Sequence, residues 1–301
     1  MNTNAANANA NAANINAANV AFTRIPLDIC NIIAEYTTPL KLLDWIDINK
    51  IDWYFLSGNS NAMKLLKLNP EKIVWWKLSS NSNALPLLEK NPDKIDWDCL
   101  SSNSNAIHLL KLNPEKIDWR ALSRNPAAIK LLKLNPDKIY WDYLSSNPAA
   151  EAIRLLKLNP EKINWGWLSL NPAVEAVRLL KLNPEKIDWR ELSGNPGAIE
   201  LLKKNINKVY WYDLSRNPTL EAVSILETNL NIDLARLSQN PAAMWVIDNK
   251  INWHALSRNP AAIYLLKKNP DKIKWRWLSE NPAIFEKDLS EIKTMGECLA
   301  K

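Results

Sequence analysis

The hydrophobic and polar positions of the chain repeat from residue 51 almost to the C-terminus, mostly at intervals of 22 residues. The stretch from Ile117 to Lys138, IDWRALSRNPAAIKLLKLNPDK, is one complete period. A recurring period of roughly 20 to 50 residues is typical of solenoids, propellers and arrays. Eleven repeats follow one another, and the ninth has Leu234 where the others have Trp. The tryptophans that mark the other repeats are Trp53, Trp75, Trp97, Trp119, Trp141, Trp165, Trp189, Trp211, Trp253 and Trp275.

Each period predicts two helices. Asp118 can cap the first helix, to which Trp119 and Leu122 give an apolar face. Asn125 can cap the second helix, and Pro126 suits its first position because no amide hydrogen is needed there. The first helix is predicted to be about two turns long and the second to be longer.

The second helix carries an apolar stripe at helical spacing, which includes Ile129, Leu131 and Leu132. Asn135 can adopt the left-handed conformation that ends a helix, and Pro136 prevents its continuation. We therefore expect an all-α fold, an α-solenoid of about eleven two-helix (αα-hairpin) repeats with helical caps. Stacked repeats of this kind should form an elongated rod or arc.

Three positions are the same in all eleven repeats: a Leu three residues after the Trp position, the Ser that follows it, and an Asn two residues further on. Such strict repetition indicates residues that serve the stacking and the caps. A ladder of Ser and Asn side chains could hydrogen-bond along the stack, because buried polar groups need partners. The Trp column is expected to pack in the core, since Leu234 can replace it.

The positions free to vary are the two after Trp, the one after Ser and the one before the Leu-Leu pair. Their mixture of Arg, Tyr, Trp, Asp and His suits an adaptable binding face on a regular scaffold, and ordinary surface drift is the alternative. The candidate partner-binding residues are Arg120, Tyr143, Trp167, Arg190, Tyr212, His254, Arg276 and Trp277.

Charge and composition exclude several functions. The net charge of +6 comes from 38 basic and 32 acidic residues. Most repeats have a lysine in the turn before the Trp position, and an Asp or Glu precedes most of these lysines. A phosphate-tracking stripe would need unopposed cations, so a nucleic-acid partner is not expected. The apolar runs are too short to span a bilayer, so no membrane partner is expected either. Three scattered cysteines are typical of reduced thiols in an intracellular protein.

Motifs for chemistry are missing from the sequence. The two histidines, His108 and His254, lie in distant repeats, and no Cys or His pair has metal-ligand spacing. The five glycines are isolated, so no phosphate-binding loop is written. We therefore expect a protein that is not an enzyme, with no cofactor, no metal and no catalytic residue.

The two ends differ from the repeats. Residues 1–20 are almost only Asn and Ala, which predicts a disordered tail. Residues 21–50 predict a helical cap with two short helices, the second of which begins near Leu40 and includes Leu43. The repeats, of mostly 22 to 24 residues, occupy residues 51–283, and residues 284–301 predict a C-terminal capping helix with a polar outer side.

The N-terminal cap resembles an F-box. The shared pattern is an Ile-Pro opening, an acid followed by spaced Ile residues and a Tyr, a break and a Leu-rich second helix. The resemblance implies docking on the Skp1 subunit of a host cullin ubiquitin ligase, with the repeats choosing the substrate; a simple cap on the first repeat is the alternative. The candidate Skp1-docking residues are Ile25, Pro26, Asp28, Ile29, Ile33, Tyr36, Leu40 and Leu43.

The repeat itself, with the pattern NPxAIxLLKxNPxKIDWxxLS, resembles short tandem repeats in proteins of giant DNA viruses that infect amoebae. This resemblance implies a protein that acts in host cytoplasm or in the virion, and the family has no activity to transfer. The expected function is a protein–protein interaction scaffold, with adaptor function for the ubiquitin ligase. The alternative is a structural, virion-associated spacer or cement protein.

Overall fold

The structure is a computed structural model of the chain, and it describes residues 38–227, 234–243 and 251–288. The chain divides into two compact units, one formed by Leu42–Phe285 and the other by Met1–Lys41 with Glu286–Lys301. The first unit contains all eleven repeats. The predicted disordered tail (1–20) and the first F-box-like helix lie outside the described residues.

The all-α repeat fold is confirmed. A repeat consists of a 3-10 turn, a first helix of four to six residues, a second connection and a second helix. The second helix is described in nine repeats, where it has five to nine residues. It is longer than the first in six of them, so the prediction of a longer second helix holds only for those repeats. The first helices are α1 Trp53–Leu56, α3 Trp75–Ser79, α5 Trp97–Ser101, α7 Trp119–Arg124, α9 Trp141–Ser145, α11 Trp165–Leu170, α13 Trp189–Ser193, α15 Trp211–Leu214, α17 Leu234–Gln239, α18 Trp253–Arg258 and α20 Trp275–Leu278. The second helices are α2 Met63–Leu68, α4 Leu85–Glu89, α6 Ile107–Leu112, α8 Ile129–Lys133, α10 Ala150–Leu158, α12 Val174–Leu182, α14 Ile199–Lys204, α16 Leu220–Glu227 and α19 Ile263–Lys268.

Short 3-10 turns connect the helices. Those before a first helix are Ile48–Lys50, Pro70–Lys72, Pro92–Lys94, Pro114–Lys116, Pro136–Lys138, Pro160–Lys162, Pro184–Lys186, Ile206–Lys208 and Pro270–Lys272. Those after a first helix are Ser60–Ala62, Ser104–Ala106, Pro126–Ala128, Pro196–Ala198, Pro241–Ala243, Pro260–Ala262 and Pro282–Ile284. Within the described ranges, none of the helices has the length and apolar character needed to cross a bilayer.

The predicted caps shape the first helix. The Asp118 carboxylate accepts hydrogen bonds from the backbone N–H groups of Arg120 (2.7 Å) and Ala121 (3.2 Å), which would otherwise lack partners at the start of α7. Asn125 ends the helix because its backbone is extended, with φ −75° and ψ 116°. Its side chain then accepts from the N–H of Ala127 at 3.0 Å and so caps the following turn.

The second helix ends differently from the prediction. Asn135 has φ −134°, so the expected left-handed conformation is wrong, and no described residue, glycine included, has a positive φ. The Asn135 side chain ends α8 instead, since its Nδ2 donates to the Leu131 carbonyl at 3.0 Å. This bond satisfies one of the carbonyls that a helix C-terminus leaves without a partner.

The core runs through the repeats as columns of aliphatic side chains. Leu122 of the first helix and Ala128 and Leu132 of the second segment are fully buried. Their counterparts in neighbouring repeats have the same burial, for example Leu100 and Leu144. Removing one such leucine side chain typically costs roughly 2–5 kcal/mol of stability.

The predicted asparagine ladder is present. In one step of it, Asn147 Nδ2 donates to the backbone carbonyls of Ser123 (2.9 Å) and Asn125 (3.0 Å) in the preceding repeat. The Asn147 side-chain oxygen accepts from the N–H of Ala149 at 3.0 Å. Asn147 is fully buried, so each of its polar atoms has a partner where water does not reach. In all eleven invariant asparagines, the side-chain Nδ2 donates to the backbone carbonyl of the invariant Ser in the neighbouring repeat.

The serines form a second ladder. Ser123 Oγ donates to the Trp119 carbonyl one turn earlier at 2.7 Å. The same hydroxyl accepts from the N–H of Tyr140, the residue that precedes the next first helix, at 3.0 Å. A hydroxyl has one donor and accepts as well, so a single Ser joins two repeats with both functions used.

The array of repeats closes on itself. Asn59 Nδ2 of the first repeat donates to the carbonyls of Ser279 (3.3 Å) and Asn281 (3.2 Å) in the eleventh. The N–H of Asp52 donates to Ser279 Oγ at 2.8 Å. These are the ladder contacts found between consecutive repeats, so the eleventh repeat is the neighbour of the first. The unit Leu42–Phe285 is therefore a closed ring of repeats, and the expected rod or arc with free ends is wrong.

Two strands stand where helices were predicted. β1 (Leu40–Leu42) and β2 (Phe285–Lys287) form a two-stranded sheet. The bonds from Leu43 N–H to the Ile284 carbonyl and from Asp288 N–H to the Pro39 carbonyl show that the pair is antiparallel. The second F-box-like helix is thus replaced by a strand, and so is the start of the predicted C-terminal capping helix. The rest of that segment, 289–301, lies outside the described residues.

The Trp column is half-buried rather than enclosed in the core. Over six of these rings lies a lysine from the 3-10 turn of the next repeat, as for Lys138, whose Nζ is 4.8 Å from the centroid of Trp119. Lys50 lies 5.2 Å from the centroid of Trp275, which repeats this contact across the closure. The column thus packs on one side and carries a cation on the other, an arrangement worth about 0.5–1 kcal/mol where the site is exposed.

Candidate binding face

Most of the variable positions lie on the solvent side of the first helices, and a few are buried. In α7, Leu122 and Ser123 point into the core, whereas Arg120 and Arg124 are exposed and lie one helical turn apart. We define the variable face as the two residues after each Trp position and the residue after each invariant Ser. These residues line the same side of consecutive helices, so they form one surface across the repeats.

Arginine is concentrated on this face. Seven of the ten arginines of the chain occupy its positions, compared with one of the 28 lysines, Lys77. The seven are Arg120, Arg124, Arg190, Arg216, Arg236, Arg258 and Arg276. Seven aromatic residues share the face: Tyr54, Phe55, Trp76, Tyr143, Trp167, Tyr212 and Trp277. Arg, Tyr and Trp are the residues enriched at interface hot spots.

One cluster of the variable face spans repeats four to six. The rings of Tyr143 and Trp167 are stacked, with centroids 5.9 Å apart and planes at 26°. The Arg124 guanidinium lies 5.0 Å from the Trp167 centroid, and its Nε donates to Ser146 Oγ at 3.3 Å. Arg120 lies 5.4 Å from the ring centroid of Tyr140. These contacts fix the side chains before a partner binds, which lowers the entropic cost of binding.

A second cluster crosses the closure of the ring. Trp277 Nε1 donates to His254 Nδ1 at 3.1 Å, and the Arg258 guanidinium lies 4.4 Å from a Trp277 ring centroid. Phe55 of the first repeat lies 5.2 Å from Trp277, and Arg276 lies 4.9 Å from Phe55. This cluster exists only because the first and eleventh repeats are neighbours.

Between the clusters, one buried acid holds two arginines. Asp213 has only 5% of its side chain exposed, and it pairs with Arg216 at 2.8 Å and with Arg190 at 3.4 Å. The next pair is Arg236 over Tyr212, with the guanidinium 3.9 Å from the ring centroid. Arg190 therefore forms an ion pair within the protein, and its side chain is still exposed on the variable face.

The structure thus groups the candidate partner-binding residues. Arg120, Tyr143 and Trp167 belong to the first cluster. His254, Arg276 and Trp277 belong to the second, while Arg190 and Tyr212 lie in the intervening repeats.

Five arginine or aromatic residues of the variable face that make these contacts were not among the candidates: Phe55, Arg124, Arg216, Arg236 and Arg258. The bias of arginine toward the variable positions would have indicated the four arginines. Phe55 could not be indicated, because its contact depends on the closure.

Most candidate Skp1-docking residues lie outside the described residues: Ile25, Pro26, Asp28, Ile29, Ile33 and Tyr36. Leu40 begins β1, and Leu43 follows it and donates its N–H to the Ile284 carbonyl at 2.9 Å. These two leucines therefore do not lie on a helix as the F-box resemblance implies.

The variable face also carries a thiol, Cys99. Burial raises its pKa from 9.0 to about 11, and the neighbouring carboxylates of Asp96 and Asp98 add to the shift. The thiol is therefore protonated near neutral pH and is a poor nucleophile there. Within the described ranges, no group of three or more His, Cys, Asp or Glu side chains is placed to hold a metal ion.

Comparisons of the chain with protein-family models, with curated proteins and with solved structures found no match. The fold and site define the class: a closed all-α repeat protein with a buried Ser and Asn ladder and an arginine- and aromatic-rich face.

Proposed function

We propose that the chain is a non-enzymatic scaffold that binds a protein partner on the variable face. The observation that supports this most directly is the concentration of arginine on this face, which seven aromatic residues share, while all but one of the lysines lie elsewhere. The invariant Leu residues fill the core, and the invariant Ser and Asn residues form the hydrogen-bonded ladders. The exposed variable positions take part in neither, so they can change without loss of the fold, as a recognition surface requires.

The stacked and ion-paired side chains support protein binding. Trp167 is half-buried between Tyr143 and Arg124, so it offers a fixed aromatic edge. Rigid aromatic and arginine side chains lose little conformational entropy when a partner covers them. Truncation of such an anchor commonly weakens binding by more than about 2 kcal/mol.

The test is affinity capture from host-cell lysate with matched variants. Wild-type protein, a Trp167→Ala/Arg124→Ala variant and a Lys111→Ala control on the second helix would each serve as bait, with captured proteins quantified by mass spectrometry. We expect a protein that the wild type and the control capture equally and the face variant captures at least about tenfold less. Equal capture by all three baits, or capture by none, would contradict the proposal.

The resemblance to an F-box supports a second proposal, that the scaffold is an adaptor for a host cullin ubiquitin ligase. Its docking residues would come from the first F-box-like segment, since Leu40 lies in β1. We expect Skp1 and cullin to co-purify with the wild type and to be lost with Ile29→Glu/Ile33→Glu. Failure to recover either subunit with the wild type would rule the adaptor out and leave the scaffold in place.

The structural alternative, a virion spacer or cement protein, has less support. A rod needs a free repeat at its end, and here the first and eleventh repeats contact each other. Abundant protein in purified particles, without Skp1 or cullin, would favour the structural role. A location in host cytoplasm stays a prediction from the resemblance. Detection of the protein in the cytoplasmic fraction of infected cells would check it.

A further inference from the structure

A cleft of about 480 Å³ opens on the variable face between repeats eight and eleven. Three arginines and three aromatic or imidazole rings line it, and no carboxylate is among the lining residues that the structure describes. These six residues are Tyr212, Arg216, Arg236, His254, Arg258 and Trp277. A volume of a few hundred Å³ is enough for one or two side chains of a partner.

Two guanidinium groups in the cleft are held against rings. Arg236 lies 3.9 Å from the Tyr212 ring centroid, and Arg258 lies 4.4 Å from a Trp277 ring centroid. A guanidinium has five N–H donors, and one ion pair, such as that of Arg258 with Glu280, uses only part of them. Its planar fork matches a carboxylate, which can accept two parallel hydrogen bonds.

The histidine adds a donor. His254 Nδ1 accepts the hydrogen bond from Trp277 Nε1, so the proton of the neutral imidazole is on Nε2. His254 is exposed and lines the same cleft as the arginines. The cleft therefore combines donors from three side chains and suits an anionic group.

The same contacts argue against a nucleobase. Base stacking needs an open ring face, but Arg258 and Phe55 both lie within contact distance of Trp277. A phosphate backbone also needs unopposed cations, whereas Arg216 pairs with Asp213 and Arg258 pairs with Glu280. A peptide carboxylate needs only local donors, and the 51% exposed Tyr212 offers an apolar surface beside them.

We infer that this cleft binds an acidic peptide segment of the partner. A Glu or Asp carboxylate would accept hydrogen bonds from Arg236, Arg258 and His254, and a neighbouring apolar side chain would pack on Tyr212. This inference rests on the proposed function and names the chemistry of one part of its partner.

The experiment is selection of phage-displayed random peptides on the immobilised full chain. We expect the selected peptides to be enriched in Asp and Glu beside an aromatic or aliphatic residue. Fluorescein-labelled copies should bind Arg236→Gln and Arg258→Lys variants at least about tenfold more weakly, because Lys keeps the charge but loses the fork. The control Arg154→Gln, an exposed arginine on the second helix α10 and outside the variable face, should bind as the wild type does. Thermal unfolding of each variant checks that the fold is kept.

Different failures have different meanings. Selected peptides without an excess of acids, or peptides whose binding is indifferent to Arg236→Gln and Arg258→Lys but lost in Trp167→Ala, contradict the cleft and leave the scaffold proposal standing. Absence of any selected peptide contradicts both. Binding of labelled single-stranded DNA that Arg236→Gln abolishes would also overturn the inference, in favour of a nucleic-acid ligand.

Discussion

Asn59 Nδ2 donates to the backbone carbonyl of Asn281 at 3.2 Å, although the two residues are 222 positions apart. Asn81 makes the same bond to the Asn59 carbonyl at 3.1 Å. The closure of the ring therefore uses the interface that joins consecutive repeats. It needs no special residues, and it leaves no repeat end exposed.

Replacing one ladder asparagine should lower the free energy of unfolding substantially. Asn147→Ala removes hydrogen bonds to two buried carbonyls and to one N–H, so we expect a loss of about 3 kcal/mol. Asn147→Asp keeps the shape but loses the donors and buries a charge, and should cost at least as much. Urea unfolding measures both.

The control is Asn105→Ala, because Asn105 is exposed and its Nδ2 bonds only to the Ser82 carbonyl at 2.8 Å. We expect it to cost less than about 1 kcal/mol. Similar losses for Asn105→Ala and Asn147→Ala would show that the buried ladder does not stabilise the fold.

The closure predicts that Asn59 matters as much as an internal asparagine. Asn59→Ala should destabilise to within about 1 kcal/mol of Asn147→Ala, because both lose the same buried bonds. In an open array, Asn59 would lie at an end in contact with water. A neutral effect of Asn59→Ala on urea unfolding would contradict the closed ring.

Gly197 should not tolerate a side chain. A Cβ there would lie 2.3 Å from the Pro172 carbonyl oxygen of the preceding repeat, so the backbone must shift. We expect Gly197→Ala to cost about 1–3 kcal/mol, the usual range for overpacking. At Gly58 the nearest atom would be 3.6 Å away, so Gly58→Ala should be neutral or slightly stabilising. Equal thermal midpoints for the two variants would refute this close approach.

The thiol of Cys99 should ionise only at high pH. Since burial, then Asp96 and Asp98, raise its pKa to about 11 from 9.0, alkylation of Cys99 by iodoacetamide should rise with pH through a midpoint near 11. The folded thiol holds its proton more tightly than the unfolded one. Its contribution to stability is therefore complete below pH 9 and is lost as the pH rises toward 11.

Asp96→Asn keeps the helix cap but removes a charge beside Cys99, so it should lower the alkylation midpoint. Asp93→Asn, in the preceding turn, should leave it unchanged. Peptide mass spectrometry separates Cys99 from the other two cysteines. If Asp96→Asn left the alkylation midpoint unchanged, the Asp96 carboxylate would not raise the pKa of Cys99.

Local features of the fold followed from the sequence. Asp118 and Asn125 cap their helices as predicted because a cap depends on a few adjacent residues. The closure did not follow, because it depends on a small rotation per repeat that accumulates over eleven steps. The strand at Leu40–Leu42 was missed for the same reason, since its partner, β2, comes from the other end of the repeats.

The candidate site was predictable in position but not in grouping. The variable positions were visible from the eleven copies, and at two of them Arg120 is exposed and Trp167 is half-buried. The contact of Trp277 with Phe55 could not be foreseen, because it joins the last repeat to the first.

The central claim, that the repeats form a closed ring, is tested most directly by dipolar coupling between two nitroxide labels. Gly58→Cys and Glu280→Cys place them after the invariant Ser of the first and eleventh repeats, in a chain whose native cysteines are replaced by Ser. Arg124→Cys with Ser146→Cys is the matched pair in consecutive repeats. The closed ring predicts the same strong dipolar broadening for both pairs, since neighbouring helices lie about 8–10 Å apart. Broadening for the 124/146 pair with none for the 58/280 pair would show that the array is open.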